Sequence, residues 1–296
     1  MNITSIGEIL FDIYPGHKKL GGAPLNFIYH IKKLTDYGNI ISRVGKDVLG
    51  DKVLKELKTS GFSTEYIQVD HKHPTGMALV SVDQDGVPSF KIEKDCAYDF
   101  IEEDDKNYNL VSTETDCLYF GTLAQRSEIT RKTVQSFYKK GIKYFSDLNL
   151  RQNYFNEDIL RESLSAADFI KVNYDEMHVL NDFLLQAEYN TEKVAYELME
   201  KFDIQLIAVT RGKDGSSLFE NGKRFDYSHV DVEVVDTTGA GDAFSAILCI
   251  GYLQGQENTF INKLANEFAS EVCKFEGALP KSDRIYESFR KQLGFF

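Results

Sequence analysis

Short apolar runs separated by stretches of helical period set the rhythm of this chain. Residues 117–120, 144–148, 169–172 and 206–209 are brief, largely apolar blocks with helix-like stretches between them. Such runs are expected in a parallel sheet covered on both faces, where neither side of a strand meets water. Residues 3–12 read as a first strand ending in Asp12, and residues 40–45 as a second. After Gly21-Gly22, the spacing of Phe27, Ile31 and Leu34 predicts a helix with one core-facing stripe, and residues 50–57 predict another. The alternating segment 229–235 reads as a strand, and 243–250 is apolar on nearly every side, as a buried helix is. Ile261, Leu264, Phe268, Val272 and Phe275 put a further core stripe near the C-terminus.

Residues 64–99 break this rhythm. Residues 76–82 alternate, 83–86 read as a turn, and 88–92 complete a hairpin with no helix between the strands. A separate small sheet follows. The polar run 102–109 reads as an exposed loop.

Bulk composition narrows the partners. In 296 residues, 46 acidic side chains against 34 basic ones leave a net charge of −12, which disfavours a nucleic-acid surface. An anionic ligand therefore has to be held by local devices. Cys96, Cys117, Cys249 and Cys273 are scattered without metal-ligand spacing, so core filling is expected rather than disulfides. No apolar run reaches membrane-spanning length, and a cytoplasmic, single-domain protein is expected.

The chemistry concentrates in Asp236-Thr-Thr-Gly-Ala-Gly-Asp242-Ala-Phe244, a glycine turn feeding the apolar helix. Unpaired N–H groups and the positive end of the helix dipole meet there, which suits a phosphate. Asp242 is then either an N-terminal cap or a base that takes a proton from the attacking group.

These nine residues resemble the second signature of the ribokinase-like (PfkB) carbohydrate kinases. Gly21-Gly-Ala-Pro-Leu-Asn26 resembles the first signature. Between the two lie Asp147-Leu-Asn-Leu-Arg151, Lys171-Val-Asn173-Tyr-Asp-Glu176 and Thr210-Arg-Gly-Lys-Asp-Gly215, in the family's order. No Walker-type phosphate loop occurs, and Gly239-Ala-Gly241 lacks the third glycine of a dinucleotide fingerprint. The resemblance implies a three-layer α/β/α fold with a mostly parallel central sheet and a small β lid, drawn from roughly residues 11–19 and 64–99 of one domain spanning 1–296. It implies a sugar and ATP as small-molecule partners, Mg2+ as cofactor, and a homodimer contact through the lid sheet. It assigns Asp242 as base, with Gly239, Ala240 and Gly241 as the anion hole. It puts Asp12, Gly21, Gly22, Asn26 and Arg151 on the substrate and Asn173, Thr210, Gly212, Gly215 and Asn266 on ATP. Glu176 and Asp236 fall near the metal.

Two further segments bear on the sugar and on a monovalent cation. Gly45-Lys-Asp47 resembles another sugar-side loop, though Asp47 also suits a plain turn. The segment 275–280 resembles the loop that, with Asp236 and Thr238, binds K+ in some relatives, so the resemblance adds K+ as a candidate cofactor, although Lys281 stands where the ribokinase branch has a serine. Gly21-Gly-Ala-Pro, the wording of residues 120–127 and Asn149-Leu-Arg151 lean toward fructokinases. A 2-keto-3-deoxygluconate kinase, a ribokinase and a catalytically silent sugar- or nucleotide-binding regulator are the alternatives. An oxidoreductase would carry its glycine turn after the first strand.

Overall fold

The computed structural model describes residues 1–82, 88–138, 141–228 and 232–295. Among these residues thirteen strands form two sheets. They are β1 (Ile3–Ile6), β2 (Leu10–Tyr14), β3 (His17–Gly21), β4 (Asn39–Gly45), β5 (Ile67–Asp70), β6 (Gly76–Val82), β7 (Pro88–Ile92), β8 (Cys117–Phe120), β9 (Lys143–Asp147), β10 (Phe169–Asn173), β11 (Leu206–Thr210), β12 (Ser216–Glu220) and β13 (Lys223–Tyr227). The central sheet runs β13-β12-β11-β10-β9-β8-β1-β4-β5, parallel from β5 to β11, with β12 and β13 antiparallel at one edge. The smaller sheet runs β3-β2-β6-β7.

The helices are α1 (Ala23–Thr35), α2 (Val48–Thr59), α3 (Asp105–Asn109), α4 (Glu128–Ser136), α5 (Glu157–Ala166), α6 (Tyr174–Leu180), α7 (Thr191–Phe202), α8 (Ala240–Leu253), α9 (Asn258–Val272) and α10 (Arg284–Gln292). Side chains of α1, α2, α8, α9 and α10 share one core on one face of the sheet. Those of α4 and of α5 to α7 build two further clusters against the other face. The three-layer architecture is therefore present. α8 lies at the centre of its layer, and every residue from Ala243 to Gly251 is buried. The apolar periodicity of 243–250 meant this: a helix with no wet face.

Several expectations change. The run 3–12 is not one strand. At Gly7 (φ 147) the chain leaves the central sheet, and β2 begins the small one. A Cβ at Gly7 would lie 2.8 Å from Pro24 Cγ, so the break depends on glycine. Asp12 therefore stands on the small sheet, opposite Lys19 in register, rather than at the end of a central strand. The run 102–109 contains α3, because Asp104 caps it by accepting from Lys106 N and Asn107 N. The segment 229–235 is no strand where it is described: Val234 and Val235 are exposed, and residues 229–231 lie outside the described residues. The turn at 83–86 also lies outside them, while the hairpin strands themselves form. The β12–β13 hairpin was not anticipated, although Asn221-Gly222 between two alternating runs is a strong signal for one.

Candidate active site

The site is built where α8 begins. Gly239 adopts φ 81 as the residue before the helix, and a Cβ there would lie 2.4 Å from that of Ala278. Only glycine fits between the turn and that loop. Ala240 N donates to Thr237 O at 3.2 Å, and the N–H groups of Gly241 and Asp242 that follow it form the electropositive tip of α8.

Asp242 sits in that first turn. Its Oδ2 accepts from Asn26 Nδ2 at 2.8 Å, joining the start of α8 to the start of α1. Burial and the nearby Asp147 carboxylate push the Asp242 pKa up from 3.8 to about 6, against the Asn26 hydrogen bond and the charges of Lys171 and Arg151. A carboxylate so raised is a better base than a solvated one yet still ionised at neutral pH.

α1 starts after Gly22, whose φ of 110 no other residue adopts readily; a Cβ there would lie 2.4 Å from Glu8 O. Next to it, the Cβ position of Gly21 is 3.4 Å from Asp12 Oδ2 and 3.9 Å from Asn26 Oδ1, so these two oxygens converge on one point. Asn26 Oδ1 is buried without a partner, free to accept from a hydroxyl. Burial pushes the Asp12 pKa up to about 6, with Arg151 and Lys19 pulling it back. Asp12, Gly21, Gly22, Asn26 and Asp242 are thus brought together, with the exposed Arg151 within electrostatic reach of Asp12 and Asp242.

Two residues at this centre escaped the sequence reading. Glu8 is buried, its Oε2 has no partner, and it feels the charges of Asp242 and Arg151. Burial raises its pKa to about 7, while the backbone N–H groups of Glu8 and Ala23 lower it. Its carboxyl thus serves the start of α1, which has no side-chain cap of its own. Lys171 is buried on β10 and pairs with Asp147 Oδ1 at 3.1 Å, while Ser245 Oγ donates to Asp147 Oδ2 at 2.7 Å. Its Nζ lies 3.0 Å from the Cβ position of Gly241, directly against the turn. Burial disfavours its charge, but Asp147, Glu176 and Asp242 outweigh that and raise its pKa. The signal was available: a lysine inside an otherwise apolar strand needs a partner.

The residues expected on the nucleotide line up along one end of the sheet. Asn173 at the end of β10 is the register partner of Thr210 on β11, and Thr210 that of Ser216 on β12. Ser216 Oγ then accepts from Asn266 Nδ2 on α9 at 2.7 Å. Gly212 and Gly215 form the turn between β11 and β12, and the Cβ position of Gly212 faces open space. Asn266 also borders a cavity of about 320 Å³ with Tyr227, Ser270 and Phe289.

Glu176 is spoken for. Its Oε2 accepts from Asn173 N and its Oε1 from Leu150 N, each at 2.8 Å, and Asn173 Oδ1 accepts from Glu176 N, a reciprocal cap on α6. Asp236 accepts from Thr238 N and Gly277 N, both at 2.9 Å, and from Lys19 Nζ at 3.2 Å. Despite burial these bonds hold its pKa low. Among the described residues no three His, Cys, Asp or Glu converge as a metal site. Asp47 lies outside the site: it caps α2 through Gly50 N and ties down Thr75. No helix of the described residues is long and apolar enough to cross a membrane.

Residues 15–284 match the pfkB family carbohydrate kinases. The chain belongs to this carbohydrate kinase family. An uncharacterized sugar kinase of Pyrococcus horikoshii is 30% identical, with 98% of this chain and 97% of that protein aligned. Fructokinase-2 of rice (Oryza sativa) is 28% identical over 93% of this chain and 86% of its own. The crystal structure of the P. horikoshii kinase in complex with ATP superposes with a TM-score of 0.82 over 98% of this chain and 99% of that one. This kinase thus has the fold of its relatives over essentially its whole length.

Proposed function

We propose that this kinase transfers the γ-phosphoryl group of ATP to a sugar hydroxyl, with fructose as acceptor and fructose 6-phosphate as product. One observation carries the reading: an elevated carboxylate, Asp242, stands in the first turn of α8 and is tied at 2.8 Å to Asn26, beside the point where Asn26 and Asp12 converge. In this reading Asp12, Asn26 and the free oxygen of Glu8 orient the sugar, and Arg151 supports an oxygen of the sugar or the phosphate. Asp242 accepts the hydroxyl proton as the new O–P bond forms and the β–γ bridge bond breaks, leaving ADP. The N–H groups from Gly239 to Asp242, with Lys171 behind Gly241, stabilise charge on the transferring group.

ATP enters along Asn173, Thr210, Gly212, Gly215 and Asn266. The P. horikoshii complex with ATP supports ATP as the nucleotide. Both oxygens of Glu176 and those of Asp236 already accept protein hydrogen bonds, which suits an Mg2+ ion carried by the phosphates and waters, with Glu176 and Asp236 acting through that water. Such an ion neutralises phosphate charge. Lys19 on Asp236, with Lys281 nearby, speaks against a K+ ion. The small sheet acts as a lid excluding water and as the contact of a homodimer.

Rice fructokinase and the wording of residues 120–127 favour fructose. The test is ADP release with fructose, ribose, 2-keto-3-deoxygluconate and adenosine in parallel. Fructose should give the highest kcat/KM; a higher value for any other overturns the acceptor, and no turnover with any sugar overturns the kinase in favour of a silent binding protein.

A further inference from the structure

Arg126 lies in the tight turn after β8 (residues 124–126), and its side chain is only 8% exposed. Nε and Nη2 donate to the two oxygens of Asp99 at 2.8 Å each, a fork that fixes the plane of the guanidinium. Nη2 also donates to Glu93 O, just beyond β7, at 2.6 Å and to Tyr98 Oη at 3.0 Å. The ring centroids of Tyr154 and Tyr98 lie 4.5 Å and 5.2 Å from its Cζ, close enough for each ring to attract the cation. Nη1 is buried without a hydrogen-bond partner. Packing alone would be served by an apolar side chain, without that cost.

The groups that Arg126 holds join two parts of the acceptor site. Tyr154 Oη donates to Ile92 O at 2.9 Å, and Ile92 N donates to Gln152 Oε1 at 3.2 Å. Both backbone polar groups of Ile92 on β7 are therefore bound by the loop that carries Arg151. Ile92 is the register partner of Ala78 on β6, and Ala78 that of Asp12 on β2. One row thus crosses the small sheet from this loop to Asp12. Tyr98 packs against the start of β6, where a Cβ on Gly76 would lie 2.5 Å from Tyr98 Cε1. On the other side of Arg151, Leu150 N is held by Glu176 Oε1 at 2.8 Å. Between these anchors the loop is strained: Asn149 and Gln152, flanking Arg151, have φ of 45 and 47. Residues other than glycine keep that conformation when their surroundings hold them there.

We propose that Arg126 is a positioning residue for phosphoryl transfer: acting through Tyr154 and Ile92, it locks the Arg151 loop to the Asp12 row of the small sheet and so fixes Arg151 relative to Asp12. This rests on the reading of Asp12 and Arg151 as acceptor-site residues. A lysine cannot replace Arg126, because a single ammonium on a flexible stem lacks the planar fork. Without the lock the strained loop relaxes, and a displacement of about 1 Å at Arg151 is enough to cost about a hundredfold in rate.

The test is a double-mutant cycle on the full chain. Arg126→Lys and Tyr154→Phe are each made in the wild type and in Arg151→Ala. Kinetics are measured with ATP and whichever of fructose, ribose and 2-keto-3-deoxygluconate gives the highest kcat/KM. In the wild-type background Arg126→Lys should lower kcat/KM for the sugar about 10- to 100-fold. Tyr154→Phe keeps the ring but loses the bond to Ile92, and should lower it about three- to tenfold. In Arg151→Ala each change should cost less than about twofold, because the group being positioned is gone. Amide hydrogen exchange at residues 150–154 should be at least about threefold faster in both variants. Equal losses in the two backgrounds, no loss from either variant, or unchanged exchange at 150–154 overturns the lock. If Arg126→Lys does not fold, Tyr154→Phe decides alone. Wild-type kinetics in Arg151→Ala by itself would sink the acceptor-site reading of Arg151, and the positioning role with it.

Discussion

Asp242→Asn separates what this residue does for catalysis from what it costs the fold. Its pKa rises from 3.8 to about 6 in the folded protein. A carboxyl whose folded pKa lies above its unfolded one stabilises the fold fully below the unfolded value and loses that contribution as pH climbs through about 6. Above pH 6 the ionised group is therefore a liability, of about 3 kcal/mol at most. The Asp242 side chain keeps an accessible edge, so solvent screening leaves roughly half of that. Asparagine removes the charge next to Asp147, and its amide oxygen can still accept from Asn26 Nδ2. At pH 7.5 the variant should melt roughly 3–6 °C above wild type, and the difference should vanish near pH 4. Its turnover should fall about 100- to 10,000-fold, the usual contribution of a general base. Scanning calorimetry at the two pH values and an ADP-release assay give both numbers. A variant that melts at or below wild type at pH 7.5, or keeps more than a tenth of its activity, refutes the assignment of a strained, charge-crowded base.

Lys171→Met leaves the fully buried Asp147 without its cation, which should cost about 3–5 kcal/mol in a urea melt and lower kcat in whatever remains folded. Rescue of stability by Asp147→Asn in the same chain would confirm the pair; no rescue would contradict it. Glu8→Gln should raise the KM for sugar several-fold with little change in the KM for ATP, and for one monodeoxy sugar the wild type and variant should become equal; uniform loss across all deoxy sugars would mean a packing role. The kcat/KM for sugar should fall as pH drops through about 6, because Asp242 must be ionised to accept a proton; an acid limb near 4 would show an ordinary carboxylate. Gly239→Ala drives a Cβ into Ala278 and strains a φ of 81, so stability should drop by about 1–3 kcal/mol and activity should nearly disappear. Retained kcat would show that the turn is dispensable.

What the sequence discloses follows from how local the cause is. Strands β8 to β11 were placed to within a residue or so because double-sided burial writes itself as an apolar block in one stretch of chain. Asn173 and Glu176 were expected on ATP and near the metal; that they also cap α6 reciprocally is a local pattern, since both partners lie within one helical turn. The break at Gly7 was not, since what forces it is Pro24, which sits seventeen residues further on and is brought there by α1. Glu8 stayed hidden for the same reason. Inside an apolar run it looks like a strand's stray polar residue, and only the split between sheets turns it toward Asp242. Asp12 reached its expected neighbourhood by a route other than the expected one, on the small sheet instead of a central strand. Asp47 shows the converse: a family-like phrase whose carboxylate is fully used by α2 and Thr75.

The account stands on the meeting of a nucleotide's terminal phosphate with the tip of α8. A crystal structure with fructose and a non-hydrolysable ATP analogue tests that meeting directly. The γ-phosphate should accept from the N–H groups of Gly239 to Asp242, at about 2.7–3.1 Å. One sugar hydroxyl should lie within hydrogen-bond reach of Asp242 and in line with the phosphorus. A nucleotide bound with its phosphates away from α8, or a sugar held beyond reach of Asp242, would contradict it.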